Sequence, residues 1–277
     1  LITGMTGGTE RGGDINQKLA KAAEKAKVAL GLGSQRPMLK DSSAARHYKV
    51  RHLCPSVPLI GNIGAVNLVE YPIDKIEWLV SSIEADALAI HLNALQEAIQ
   101  PEGDTNFAGV LRSIAKVCER LSVPVIVKET GAGISGPVAQ QLFGAGVKFI
   151  EVSGRGGTSW RKVEYMRSGA MRSRAKGKAE SGAFAPGPVR ASASSVSGFD
   201  EWGYPTIPAL VECSSFGPSL CTGGVRHGLD AIKGIALGAK LSGAAMPFYC
   251  ASDPAKVAVE WREQMRTAMF LCGAKNI

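Results

Sequence analysis

Ala87-Leu88-Ala89-Ile90 runs directly into His91-Leu92-Asn93-Ala94-Leu95-Gln96-Glu97-Ala98-Ile99-Gln100-Pro101 and continues as Glu102-Gly103-Asp104. The first four residues are apolar without alternation. That is the pattern of a strand covered on both faces of a parallel sheet. The residues that follow deliver an imidazole, amides and a carboxylate to one edge of that sheet. Such a set suits a divalent cation or a phosphate ester and is too polar for a core.

Similar short runs recur along the chain. Strands are predicted at Leu1–Gly4, Val28–Leu32, Leu59–Gly61, Ala87–Ile90, Val125–Val127, Phe149–Val152, Ser219–Cys221 and Leu241–Gly243. Amphipathic stretches alternate with them: Asp14–Lys27, Ser43–Arg51, Pro72–Ser82, Phe107–Leu121, Ser135–Phe143, Pro205–Val211, Gly228–Leu237 and Pro254–Phe270. Asp14, Ser135 and Asp253 are the expected N-caps, with Pro254 in the first turn after Asp253. Eight strands alternating with eight helices predict an α/β fold, a (β/α)8 TIM barrel, as one domain over residues 1–277. Met5-Thr6-Gly7-Gly8-Thr9 is glycine-rich but lacks the spacing of a dinucleotide fingerprint.

With 45% hydrophobic residues the chain can build a sizeable core, and it has no unbroken apolar segment of membrane-spanning length. Its net charge of +8 favours anionic partners. Part of the excess lies in Arg167, Arg172, Arg174, Lys176 and Lys178, within an extended Gly/Ala/Ser-rich loop at about 165–203. That loop lacks interleaved aromatics, so a nucleic-acid partner is not expected. The six scattered cysteines form no C-x-x-C pair, which fits reduced thiols and a cytoplasmic protein. The chain opens on Leu1, inside a strand-like run, so it is expected to be a fragment lacking an N-terminal segment and a C-terminal tail.

In a barrel, chemistry collects at the C-terminal ends of the strands. Here those ends carry Met5-Thr6-Gly7-Gly8, Gly33-Ser34-Gln35-Arg36, Gly61-Asn62, His91 through Glu97, Lys128-Glu129-Thr130, Ser153 through Trp160, Thr222-Gly223-Gly224-Val225-Arg226 and Gly243-Ala244-Ala245-Met246. Every end is polar or small. Gly223-Gly224 and Ala244-Ala245 fit a phosphate cradle, with tight turns as the structural alternative. Lys128 points a cation into the mouth, to hold the electron-rich edge of a flavin, to form a Schiff base, or to pair with Glu129. Thr6, Ser34, Asn62 and Thr158 are neutral hydrogen-bonding groups suited to a planar heterocycle. Arg36 and His91 read as cations for an anionic substrate. Glu97 reads as the carboxylate for Mg²⁺. His47, His52 and His227 read as surface residues.

These motifs together resemble the type 2 isopentenyl-diphosphate isomerase family. The blocks His91-Leu92-Asn93 with Gln96-Glu97, and Ser153-Gly154-Arg155-Gly156-Gly157-Thr158-Ser159-Trp160, carry most of the likeness. It extends over nearly the whole chain. The resemblance implies an FMN-dependent barrel that interconverts homoallylic and allylic diphosphates in isoprenoid biosynthesis, with Mg²⁺, and with NADPH only as reductant. It implies FMN contacts from Met5, Thr6, Gly7, Ser34, Asn62, Lys128, Thr158, Gly223, Gly224, Ala244 and Ala245. Ser34, Gln35, Arg36, His91, Asn93 and Gln96 would meet the substrate, Gln96 would assist catalytic proton handling, and Glu97 would hold the metal. It also implies a homo-oligomer, a tetramer or octamer.

The rival reading is another FMN-dependent barrel oxidoreductase. A 2-hydroxy-acid oxidase needs a histidine base beside the flavin, for which His227 is the candidate. An IMP-dehydrogenase-like enzyme needs a cysteine in the loop Ser153–Trp160, which has none.

Overall fold

The apolar runs assemble edge to edge in the order in which they occur. The computed structural model describes residues 1–100, 103–160, 163–164, 199 and 201–276. Strands β1 (Leu30–Gly31), β2 (Leu59–Gly64), β3 (Ala87–His91), β4 (Val125–Lys128), β5 (Phe149–Glu151), β6 (Ser219–Cys221) and β7 (Leu241–Ser242) form one parallel sheet in sequential order. Ile2 bridges in parallel to both Leu30 and Ala244. Its neighbours complete the ladder: Ile2 N–H donates to Ala29 O at 2.9 Å, Gly31 N–H to Ile2 O at 2.8 Å, Thr3 N–H to Ala244 O at 3.0 Å and Ala244 N–H to Leu1 O at 3.1 Å. Residues 1–3 are thus the eighth stave, and the sheet closes into the expected barrel.

The predicted strand Leu1–Gly4 is shorter than expected. A Cβ on Gly4 would lie 1.9 Å from Leu32 O, so the two backbones approach too closely beyond Thr3 for a regular ladder.

The helices are α1 (Glu10–Ala26), α2 (Arg36–Lys40), α3 (Asn67–Glu70), α4 (Ile73–Ser82), α5 (Ala94–Ile99), α6 (Val110–Arg120), α7 (Gly136–Gly144), α8 (Thr206–Ser214), α9 (Gly228–Ala236), α10 (Met246–Cys250) and α11 (Pro254–Leu271). Asp14 is not an N-cap. Helix α1 starts one turn earlier, where Thr9 Oγ1 accepts from Gly12 N–H at 3.1 Å. Gly12 and Gly13 interrupt the hydrophobic period in that first turn. They allow close approach, since a Cβ on Gly12 would sit 2.1 Å from Gly7 O. Ser135 does precede α7, but its side chain makes no cap bond; Glu212 Oε2 accepts the Gly136 N–H instead, at 2.9 Å. Asp253 caps α11 as expected, accepting from Ala255 and Lys256. The stretch Ser43–Arg51 forms two 3₁₀ turns, Ser42–His47 and Arg51–Leu53, rather than a helix. Nearly all of the predicted basic loop lies outside the described residues.

Alternation along the strands decides what faces the mouth. Ile60, Ala87, Ala89, Ile126 and Leu220 form a small apolar cluster with Leu1 and Phe149. This is the plug inside the barrel. The opposite face, including Leu88, Ile90, Val125, Val127 and Ile150, belongs to the larger core under the helices. Two residues beyond the plug on each strand come Asn62, His91, Lys128, Glu151 and Thr222. The register holds three of them side by side, with His91 opposite Lys128 and Lys128 opposite Glu151. A polar layer therefore rests on the apolar plug at the C-terminal end of the barrel. No helix among the described residues is long and apolar enough to cross a membrane.

Candidate active site

Above the polar layer opens a cavity of about 1090 Å³. It is lined by Arg36 after β1, by His91, Asn93, Gln96 and Glu97 at and after the end of β3, and by Gly223, Gly224, Ala244 and Ala245 after β6 and β7. Met5, Gly7, Ser34, Asn62, Lys128 and Thr158 line it between. The volume lies just above the range for single small-molecule sites, about 300–1,000 Å³. It leaves room for two ligands.

On the β3 side, Asn93 takes a left-handed conformation (φ 38°), which asparagine tolerates better than most residues. The turn starts α5, which carries Gln96, Glu97 and, just after it, Gln100. Glu97 is 5% exposed and accepts from Asn93 Nδ2 at 3.2 Å, Gln100 Nε2 at 2.8 Å and the Asp104 N–H at 2.9 Å. All three donors are neutral. Asn93 Oδ1 is buried without a hydrogen-bond partner. A buried carboxylate beside an unpartnered carbonyl oxygen fits a hard cation or a ligand donor. Among the described residues no group of three or more His, Cys, Asp or Glu side chains is arranged to hold a metal. A Mg²⁺ here would take one protein carboxylate, with its other ligands from phosphate oxygens and water. Gln96 Nε2 donates to Glu164 Oε1 at 3.2 Å, and Glu164 is itself buried and lines the cavity.

His91 does not fit its expectation as a cation. Burial, and then the nearby charges of Lys128 and Arg36, push its pKa down to about 3. Its tautomer follows from the network. Asn62 Nδ2 donates to Leu32 O at 3.0 Å, which turns Asn62 Oδ1 toward His91 Nδ1 at 2.8 Å. The proton therefore sits on Nδ1, and Nε2 presents a lone pair. Arg36 lines the cavity and makes no ion pair among the described residues; Arg226, which also lines it, donates to Gly156 O at 3.1 Å.

Lys128 and Glu151 are 6% and 4% exposed, with Nζ 3.1 Å from Glu151 Oε1. Lys128 also donates to the backbone O of Glu129 at 3.0 Å. The alternative, a pairing with the Glu129 carboxylate, does not occur. That carboxylate accepts from the Thr130 and Ala132 N–H groups instead, and burial pushes its pKa up.

At the β6 and β7 ends, Gly223 and Gly224 have φ of +95° and +81°. A Cβ on Gly223 would meet Gly154 O at 2.5 Å. The N–H groups of Gly223, Gly224, Val225 and Ala245 have no protein acceptor among the described residues, whereas that of Ala244 is spent on Leu1 O. Unpaired N–H groups on a side-chain-free surface fit a phosphate.

Two expected contact residues do not line the cavity. Gln35 is fully buried, accepting the Asn62 N–H at 2.9 Å and donating to Leu79 O at 3.1 Å. It braces the polar layer from behind. Thr6 turns its hydroxyl to Asn16 Oδ1 at 2.5 Å. Sequence reasoning also missed Glu151, Glu164 and Asn67. Glu151 had a signal, a charge at the end of an apolar run. Glu164 stands too far along the chain from Gln96 for any local pattern to link them. His227, the candidate base of the oxidase reading, is exposed and caps α9 outside the cavity, so it cannot serve as that base. The buried thiols of Cys213 and Cys221 are pushed up to about 12 and 11, so neither serves as a nucleophile.

A closed parallel barrel with a polar floor, a glycine cradle and an unpaired guanidinium at one mouth defines an α/β-barrel enzyme for anionic ligands. Comparison with known proteins agrees. No protein-family model matches the chain. An isopentenyl-diphosphate delta-isomerase of Nostoc is 40% identical over 286 residues, covering 100% of this chain and 76% of the relative. A Synechococcus protein of the same name is 46% identical, covering 91% of this chain and 68% of the relative, and one from Pyrococcus abyssi is 41% identical over 100% and 74%. Among solved structures, a lactate oxidase of Pediococcus acidilactici superposes with a TM-score of 0.61 at 16% identity, covering 94% of this chain and 67% of that one. A mandelate oxidase gives 0.57 at 16%, covering 98% and 75%. These two likenesses establish the barrel alone. The chain belongs to the isopentenyl-diphosphate delta-isomerase family.

Proposed function

We propose that this chain interconverts isopentenyl diphosphate and dimethylallyl diphosphate, an isomerisation of isoprenoid biosynthesis, with FMN and Mg²⁺ in the mouth of the barrel and NADPH as the reductant of the flavin. The observation that carries the reading is the division of one cavity between two anion sites. The free N–H groups of Gly223, Gly224 and Ala245 lie on the loops after β6 and β7, and Arg36 and Glu97 on those after β1 and β3.

The reaction protonates an unactivated alkene and removes a different proton, for which side chains of ordinary acidity are poor acids. A reduced flavin, when bound, supplies a positioned acid and base for that carbon chemistry. The chain's own residues do the rest. Gly223, Gly224 and Ala245 take the flavin phosphate on their N–H groups. Lys128, Asn62, Thr158, Met5, Gly7 and Ser34 border the ring system. Arg36 grips the diphosphate, and Glu97 holds Mg²⁺ against it, so that remote binding energy orients the reacting end. His91 accepts at Nε2, and Asn93 offers Oδ1 to the metal shell or the substrate. Gln96 handles the proton near the substrate carbons, held in place by Glu164.

The test is direct. Protein loaded with FMN, reduced anaerobically with NADPH and supplied with Mg²⁺, is followed by carbon-13 NMR of the two five-carbon diphosphates. Interconversion is expected. Failure to retain any flavin refutes the reading.

A further inference from the structure

We infer that Glu151 is a positioning residue: from behind the cavity floor it aims the Lys128 ammonium so that one N–H donor remains for the ligand in the mouth. The inference rests on the proposed flavin site and adds to it a residue that touches no ligand.

Lysine carries its charge on a flexible four-carbon stem with three donors. In a half-open cavity such a stem swings toward water unless it is tied. Here two of the three donors are tied. One goes to Glu151 Oε1 at 3.1 Å and one to Glu129 O at 3.0 Å. Lys128 lines the cavity and Glu151 does not. The geometry comes from register, because Lys128 and Glu151 are direct partners on β4 and β5. A third strand end fixes the carboxylate in turn, since Thr222 Oγ1 donates to Glu151 Oε1 at 3.1 Å. The remaining Lys128 donor is the only one of the three without a protein acceptor among the described residues. The carboxylate therefore sets both the direction of the ammonium and the number of donors left for a ligand.

A buried ion pair can also be merely structural. A double-mutant cycle separates the two roles. FMN is titrated into apo-protein of wild type, K128M, E151Q and K128M/E151Q, following the quenching of flavin fluorescence. If Glu151 acts through Lys128, E151Q weakens FMN binding about tenfold with Lys128 present and less than twofold in K128M. The bound flavin's midpoint potential should also fall by about 30 mV in E151Q, the equivalent of a tenfold preferential loss of the two-electron reduced form. Glu151→Asp, which keeps the carboxylate, should restore part of both; should E151Q not fold, E151D takes its place in the cycle, with about threefold weaker binding and about 15 mV expected with Lys128 present and no loss in K128M. Equal losses in the two backgrounds, or an unchanged potential, overturn the inference. Absence of FMN binding by wild type is a different outcome, and it overturns the flavin reading itself.

Discussion

Replacing Glu97 by Gln separates a metal ligand from a structural brace, because the shape is kept and the charge is lost. In the structure Glu97 Oε2 accepts two donors, Gln100 Nε2 and the Asp104 N–H, and Oε1 accepts Asn93 Nδ2. The new carbonyl keeps the two-donor side. Each of those bonds changes from charge-assisted to neutral, at about 1 kcal/mol apiece. On the other side the new amide N–H faces Asn93. Rotation of the Asn93 amide lets Oδ1, which lacks a partner, accept that N–H. This replaces the charge-assisted bond from Asn93 Nδ2 with a neutral one, again at a net cost of about 1 kcal/mol. The net loss is about 3 kcal/mol, a fall in Tm of roughly 5 °C for a chain of this size. Mg²⁺ binding should weaken as well, since the variant loses the carboxylate offered to the ion. A hundredfold weaker Mg²⁺ dependence corresponds to about 2.7 kcal/mol. The assay combines thermal melting, flavin absorbance of the purified protein, and Mg²⁺ titration of the isomerisation. A Tm fall of roughly 5 °C, retained flavin and a large shift in the Mg²⁺ midpoint are expected. A fall of more than about 8 °C with unchanged Mg²⁺ dependence refutes the reasoning and makes Glu97 a brace.

Other changes test other parts of the site. His91 is neutral in the fold down to a pKa of about 3, against an ordinary value of 6.5. Above pH 6.5 both states are neutral and it contributes no pH dependence. Below that the unfolded chain takes the proton first, so stability should fall from pH 6.5 toward 3. His91→Gln should flatten part of that slope in Tm-versus-pH curves; an unchanged slope contradicts the assignment. Gln35→Leu strands the Asn62 N–H and Leu79 O, and should cost about 2–4 kcal/mol in urea unfolding. A large rise in KM at unchanged stability would return Gln35 to the substrate. Gly223→Ala forces a Cβ to 2.5 Å from Gly154 O at a φ of +95°. Flavin retention on gel filtration should be lost while far-ultraviolet circular dichroism stays barrel-like; full retention counts against the cradle. Arg36→Met should raise the substrate KM by about a hundredfold with kcat within a few fold, as expected for a lost bidentate anion contact.

The sequence by itself determined the barrel. Non-alternating apolar runs at β2, β3, β4 and β5 can exist only with both faces covered, and regular alternation with helices leaves few other arrangements. It also determined which strand ends carry chemistry, because His91, Asn93, Gln96, Glu97 and the Gly223-Gly224 pair are costly or purposeless in a core. Short one- and two-turn helices such as α2 and α5 escaped because they are below the length at which a helical period is visible. What only the tertiary structure decided is how those side chains are spent. Gln35 lies next to Arg36 in sequence, yet one braces Asn62 from behind and the other lines the cavity unpaired, since neighbouring residues of the turn face opposite ways. Glu151 became the partner of Lys128 through strand register, and Glu164 the partner of Gln96 through a fold contact 68 residues apart. The protonation of His91 likewise depends on burial and on charges from β4 and α2. Residue type and local pattern specify which groups reach the mouth. Pairing, charge state and direction arise from distances between strands and helices remote in sequence, which no local pattern contains.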